Sequence, residues 1–157
     1  GERILIREIT NPRIFASYTD EELYNDPSIL IIKESEKGFN VKVLLGILNS
    51  NLLTFYHFNS SPKATKGSFP KILVNDVNNF PIPKNVSKAK ENQITELVDQ
   101  ILSAKAEDPA ADTQALEDQI DVLVYQLYGL TYAEVRTVDP DFEMSEVEYE
   151  KVEGNMQ

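Results

Sequence analysis

A short segment rich in lysine and hydroxyl side chains is the strongest candidate for chemistry in this sequence. It covers residues 63–68, and its polar members are Lys63, Thr65, Lys66 and Ser68. Lysine reaches phosphate oxygens or guanine acceptors, serine and threonine contact either, and the intervening glycine lets backbone N–H groups approach closely. These residue types predict a protruding loop that contacts nucleic acid. The same composition is also typical of an ordinary solvated surface loop.

Charge is divided unevenly along the chain, and this division permits DNA binding by an acidic protein. The net charge is −11, yet residues 1–90 hold 12 Lys/Arg against 9 Asp/Glu, whereas residues 91–157 hold 3 against 17. Because exposed charges more than about 10 Å apart are largely screened at ~0.1 M salt, a basic face can attract phosphate locally. We therefore add Lys71 to the loop residues as a candidate DNA contact, and Arg7 and Arg13 as lesser candidates for phosphate contacts.

An apolar segment precedes the candidate loop and predicts a helix over residues 41–58, with Asn40 as its N-cap. Its apolar residues cover most of the circumference, which indicates burial between layers. Asn49 and Ser50 interrupt the apolar run, and we expect their side chains to bond to neighbouring backbone. The lone His57 is expected to be a packed residue or a partner of the helix C-terminus.

The segments around this helix complete the predicted fold. Three apolar runs ahead of it predict short strands over residues 3–9, 14–18 and 28–33. Residues 69–73 look extended, and residues 80–83 (FPIP) can be neither helix nor central strand.

Beyond Lys84 two amphipathic stripes predict an antiparallel helical hairpin. Gly129 suits the position after the second helix, and Thr131 with Glu134 forms a capping box for a last short helix. Residues 139–157 are acidic and weakly patterned, typical of a frayed tail or of a segment that is ordered by a neighbour missing from this chain.

The sequence thus predicts an α+β fold, with a small mixed β-sheet and a buried central helix followed by a C-terminal helical hairpin. We expect residues 2–85 to form the DNA-contacting domain, residues 86–138 the hairpin packed on it, and residues 139–157 an acidic tail. The chain opens without Met on a strand-like run, so we expect it to be a fragment of a longer protein.

The sequence lacks the residues that several kinds of metal-binding and catalytic site require. The chain has no Cys and one His, so no transition-metal site is expected, and the absence of Cys fits a reducing cytoplasm. No stretch approaches 18 apolar residues, so we predict a soluble cytoplasmic protein without a membrane partner. The Asn/Asp-Pro-Pro-Tyr/Phe motif that methylation of a base amino group requires is absent. The common nuclease pattern has an acidic residue two positions before a lysine, and none of the eleven lysines has one there.

Three stretches, taken in order, resemble a known family. They are RILIREIT with IFASYT after it, the run LLGILNSNLLTFYHF followed by KGSFPKI and FPIP, and the string IDVLVYQLYGLT. This order resembles the TaqI-like C-terminal specificity domain, the target-recognition domain of restriction–modification enzymes. The resemblance extends from about Arg3 to Val138.

The resemblance implies a non-catalytic, sequence-specific reader of double-stranded DNA. In such parents an N-terminal methyltransferase domain, the partner of this domain, methylates adenine with S-adenosylmethionine, and an endonuclease domain that uses Mg²⁺ is often fused. Within the fragment itself we expect no cofactor. The alternative from the residues alone is a non-enzymatic docking module whose helical hairpin packs on other subunits.

Overall fold

The computed structural model describes residues 1–21, 28–33, 40–60 and 70–155. The chain divides into two compact units, Gly1–Ile82 and Pro83–Gln157. The first unit combines a β-sheet with helices and the second is helical in its described part, so the predicted α+β class is confirmed.

A three-stranded sheet forms one layer of the first unit. Its strands are β1 (Arg3–Arg7), β2 (Ala16–Thr19) and β3 (Ile29–Lys33), in the order β2-β1-β3. The sequence predicted a mixed sheet, but both pairings in the described residues are antiparallel. Strand alternation buries Ile4 and Ile6 completely and places Arg3, Leu5 and Arg7 on the other face.

The predicted central helix is two helices, and this part of the prediction is wrong. The first helix, α1, is Val41–Leu48, and the second, α2, is Asn51–Ser60. Asn40 is the N-cap as predicted, since its side chain accepts hydrogen bonds from the backbone N–H groups of Lys42 and Val43 at 2.9 and 3.1 Å. The predicted burial still holds for α1, because α1 packs against β1 and β2.

Hydrogen bonds of Asn49 and Ser50 account for the break between α1 and α2. The Ser50 hydroxyl donates to the Ile47 carbonyl at 2.6 Å and accepts from the Leu53 backbone N–H at 3.3 Å. Serine and asparagine compete with helical hydrogen bonds in this way, which ends one helix and starts the next.

A short helix that the sequence did not predict follows the candidate loop. This helix, α3 (Val74–Asn78), begins after Leu73, whose backbone N–H donates to the Asp76 carboxylate at 2.8 Å. Five residues are too few for apolar periodicity to show. Residues 80–83 are neither helix nor strand, as predicted.

The second unit begins with the predicted helical hairpin, which is confirmed. Its helices α4 (Lys88–Glu107) and α5 (Gln114–Leu127) pack against each other across a short connection. Gly129 has a φ of +68°, the left-handed conformation that glycine adopts after a helix.

The capping box that starts α6 (Tyr132–Val138) is also confirmed. The Thr131 hydroxyl accepts from the Glu134 backbone N–H at 3.2 Å, and the Thr131 backbone N–H donates to the Glu134 carboxylate at 2.9 Å. These bonds to Thr131 lower the pKa of Glu134 below its ordinary value.

The acidic segment after α6 is ordered, contrary to the prediction of a frayed tail. It forms α7 (Glu146–Asn155), and Phe142 and Tyr149 are 7% and 1% exposed. The Tyr149 hydroxyl donates to the Leu130 carbonyl at 2.8 Å, and the Gln126 side-chain amide donates to the Tyr149 carbonyl at 3.1 Å. Two aromatic anchors among acidic residues therefore attach the segment to its own unit.

The stability of the second unit should depend on Tyr128 at alkaline pH. Burial raises the pKa of Tyr128 from 10.0 to about 12, and its hydroxyl has no hydrogen-bond partner in the described residues. Between these values the unfolded chain loses the Tyr128 proton while the folded chain keeps it, so stability falls as pH rises. We expect Tyr128→Phe to reduce this alkaline loss, measured by urea unfolding at a series of pH values from 8 to about 12.

The matched control for this experiment is Val147→Ala, which changes a side chain that is 63% exposed in the same unit and does not titrate. It should leave the alkaline loss at its wild-type size. Equal pH dependence in wild type and Tyr128→Phe would contradict the assignment.

Candidate nucleic-acid interface

The four loop residues of the prediction, Lys63, Thr65, Lys66 and Ser68, lie outside the residues that the structure describes. The structure does describe what stands on either side of them. The helix α2 ends at Ser60, and the described chain resumes at Pro70. The candidate loop therefore has a helix at one root and an extended segment at the other.

The extended root is bonded to the continuation of β1. Thr10 donates its backbone N–H to the Pro70 carbonyl at 3.0 Å, and Ile72 donates to the Glu8 carbonyl at 2.9 Å. Between them Ile9 and Lys71 form an antiparallel bridge. The sheet thus fixes the backbone immediately after the candidate loop.

His57 connects the two roots. It is completely buried, and its Nε2 lies 3.0 Å from the Lys71 carbonyl oxygen. A carbonyl only accepts, so Nε2 carries the proton and donates. The packed-residue interpretation of His57 is confirmed, and the contact ties α2 to the segment after the loop.

Two of the predicted DNA contacts, Arg7 and Arg13, meet at one aromatic ring. The guanidinium carbon of Arg7 lies 5.0 Å from the centre of the Phe15 ring, and that of Arg13 lies 5.2 Å from it. Both distances suit a cation–π interaction. Arg7 is exposed, whereas Arg13 and Phe15 are half-buried. We call this group the Arg7–Phe15–Arg13 cluster.

Arg13 also has a structural role. Its guanidinium donates to the Asn49 backbone carbonyl at 3.3 Å, to the Asn49 side-chain oxygen at 3.2 Å and to the Ile14 carbonyl at 3.1 Å. These bonds direct part of its donor set toward the protein rather than toward solvent.

Asn49 joins β2 to the break between the helices. Its side chain accepts from the Ala16 backbone N–H and donates to the Ala16 carbonyl, each at 2.9 Å, as a neighbouring strand would. The expected bond from Asn49 to neighbouring backbone is confirmed. One turn into α2, the Thr54 hydroxyl accepts from the Ile14 backbone N–H at 3.2 Å.

Lys71 has a carboxylate partner. Its Nζ lies 3.3 Å from a Glu8 carboxylate oxygen, and its side chain remains 47% exposed. An exposed ion pair of this kind contributes little stability, so a phosphate could compete with Glu8 for the ammonium group. The structure therefore groups Arg7 with Arg13 and places Lys71 separately, beside the loop root.

The sequence did not single out Phe15 or Glu8. Phe15 lies in a run that reads as a strand, and its contacts with Arg7 depend on the pairing register of β1 with β2. The Glu8 contact likewise needs the bridge between Ile9 and Lys71. The sequence signal for the Arg7–Phe15 contact was a charged residue in one strand and an aromatic residue in the next strand of a hairpin. This pattern is common in strands and therefore does not single out the pair.

Within the described ranges the chain shows no cluster of three or more His, Asp or Glu residues that could hold a metal ion. None of the described helices combines the length and apolar character needed to span a bilayer.

Comparison with known protein families shows which family the first unit belongs to. The family model of the TaqI-like C-terminal specificity domain matches residues 1–82, which is over half of the chain. The chain belongs to this family. The matched residues coincide with the first compact unit, which contains the sheet, both roots of the candidate loop and the Arg7–Phe15–Arg13 cluster.

One curated relative carries the name "Putative type II restriction enzyme and methyltransferase RM.MjaORFECS2P" and comes from Methanocaldococcus jannaschii. It is 34% identical over 133 residues, which cover 81% of this chain and 11% of the relative. The chain thus spans about a ninth of that protein's length. Because 133 aligned residues exceed the 82 of the first unit, the similarity includes part of the helical second unit.

Proposed function

We propose that this specificity domain recognises a sequence in double-stranded DNA on behalf of a restriction–modification enzyme. The family match carries the proposal, because it covers the unit that frames the candidate loop. Sequence readers place variable side chains on loops held by a rigid scaffold. Here bonds among residues 8–10, α2 and residues 70–72 supply such a scaffold at the loop roots.

We further propose that the domain is non-catalytic and serves a DNA methyltransferase, with cleavage by another part of the same protein. The name of the archaeal relative combines both activities, and this chain corresponds to a small share of that protein. S-adenosylmethionine and Mg²⁺ would then bind to other domains of the parent protein. The N-terminal methyltransferase domain would be the partner that completes the grip on DNA.

The rival function is a docking module in the helical unit. In favour of it, α4, α5 and α7 border a groove of about 410 Å³. Its apolar lining residues are Leu97, Val122, Leu123, Met144 and Val152. The similarity to the restriction enzyme extends into this unit, which instead favours a part of the same specificity region. Association with a protein partner that is insensitive to salt, without DNA affinity, would support docking.

The loop assignment is tested by the double variant Lys63→Ala/Lys66→Ala in the full-length protein. If both lysines contact phosphate, the affinity for every duplex falls, and the slope of log K against log salt decreases by about two. Fluorescence anisotropy of labelled duplexes over a salt series measures both quantities.

The matched control is Lys88→Ala/Lys151→Ala, which removes the same charge from exposed positions in the helical unit. We expect this control to bind as wild type does. Wild-type affinity and slope in the Lys63/Lys66 variant would remove the loop from the proposal.

A further inference from the structure

We propose that the Arg7–Phe15–Arg13 cluster is a preorganised phosphate-binding site for the DNA backbone, separate from the candidate loop, with Phe15 as its positioning residue. The inference rests on the proposed function and deepens it. It assigns to Phe15, an uncharged residue, the task of holding two guanidinium groups where one phosphodiester strand can reach them.

The charge at the cluster suits an anion. Two guanidinium carbons lie within 5.2 Å of the same ring centre. Arg7 is exposed and forms no ion pair among the described residues. The next residue, Glu8, is paired with Lys71. Guanidinium groups bind phosphate through paired N–H donors, so the exposed Arg7 can engage a phosphate directly, and the charge of Arg13 beside the same ring adds to the attraction.

The sheet register explains why Phe15 meets Arg7. The Arg7 backbone N–H donates to the Phe15 carbonyl at 3.0 Å, which continues the β1–β2 ladder by one residue pair. Residues opposite each other in an antiparallel pair lie on the same face. The ring therefore supports the Arg7 side chain from across the ladder. Restricting a long side chain before binding lowers the entropy that binding must remove.

The cluster is also fixed to the helices that lead to the candidate loop. Asn49 bonds to both Arg13 and Ala16, on either side of Ile14 and Phe15. Thr54 of α2 accepts from the Ile14 backbone, and α2 ends at Ser60, directly before residue 61. Phosphate contacts set register and orientation on a duplex, whereas base contacts read sequence. A phosphate held at the cluster would thus set the position from which the loop reads bases.

The test compares Phe15→Leu with Phe15→Tyr in the full-length protein. Leucine keeps most of the apolar volume but has no aromatic face, whereas tyrosine keeps the aromatic face. We expect Phe15→Leu to weaken binding by about 2- to 5-fold, the value of a surface cation–π contact, and by the same factor for specific and unrelated duplexes. Phe15→Tyr should bind as wild type does.

A double-mutant cycle separates positioning from folding. Arg7→Ala should weaken all duplexes and lower the salt slope by about one, and in that background Phe15→Leu should cost less than it does in wild type, because only its support of Arg13 remains to be lost. A role of Phe15 in folding alone would instead give additive losses together with a lower melting temperature. That result, or unchanged affinity in Phe15→Leu, would overturn the inference.

The outcome for the wild-type protein distinguishes the two proposals. If the wild-type protein binds duplex DNA and Phe15→Leu binds equally well, the phosphate site at the cluster is rejected and the proposed function stands. Absence of wild-type binding at every salt concentration rejects both.

Discussion

Tyr149→Ala is expected to destabilise the second unit by about 3–5 kcal/mol, the usual loss when a large buried aromatic residue is truncated. The Tyr149 ring is 1% exposed and lies 6.1 Å from that of Phe142 and 6.2 Å from that of Tyr132. Its hydroxyl bond to the Leu130 carbonyl would be lost as well. Urea unfolding followed by circular dichroism measures the change.

Val147→Ala is the matched control, because Val147 lies on the same helix and is 63% exposed. Its effect should stay within about 0.5 kcal/mol. If Tyr149→Ala were as mild as this control, α7 would not be anchored to the unit, and the segment after residue 139 would be the frayed tail that the sequence suggested.

Asn49→Ala is expected to destabilise the first unit by about 2–4 kcal/mol. The substitution removes two bonds to the Ala16 backbone and one to the Arg13 guanidinium. Buried or half-buried polar groups left without partners each cost about 1–3 kcal/mol, less where water can reach them. The measurement is urea unfolding monitored by near-ultraviolet circular dichroism of the first unit's aromatic residues.

Two further variants sharpen this prediction. Asn49→Asp keeps an acceptor for the Ala16 N–H and for Arg13 but loses the donor to the Ala16 carbonyl, so its effect should be smaller. Asn59→Ala removes an exposed amide that donates to the Phe55 carbonyl of the same helix, and its effect should be close to zero. Equal stability of Asn49→Ala and Asn59→Ala would show that Asn49 does not hold β2 to the helices.

The candidate site could be predicted only in part from the sequence. Lysine and hydroxyl residues at 63–68 and the cations Arg7, Arg13 and Lys71 are visible as residue types. Their partners are not, because Arg7 meets Phe15 across a strand pair and Arg13 meets Asn49 over 36 positions of sequence. Spacing along the chain carries no information about such contacts until the register is known.

The sequence by itself determined the features that depend on neighbouring residues. The Asn40 cap, the Thr131–Glu134 capping box and the left-handed Gly129 are examples, and each follows from bonds or sterics within a few positions. The apolar stripes of α4 and α5 belong with them, since their period shows in any one helix.

Only the tertiary structure decided where contacts between distant segments override the local pattern. The apolar run around Asn49 favours one helix. The Ser50 hydroxyl competes locally with helical bonds there, and the bonds of Asn49 to Ala16 and Arg13, available only once β2 lies beside it, fix the break. The acidic C-terminal segment favours disorder, but burial of Tyr149 against residues far earlier in the chain orders it. Local conformational preferences amount to a few tenths of a kilocalorie per mole per residue. In both cases a few long-range contacts contribute more free energy than this and therefore override the local preference.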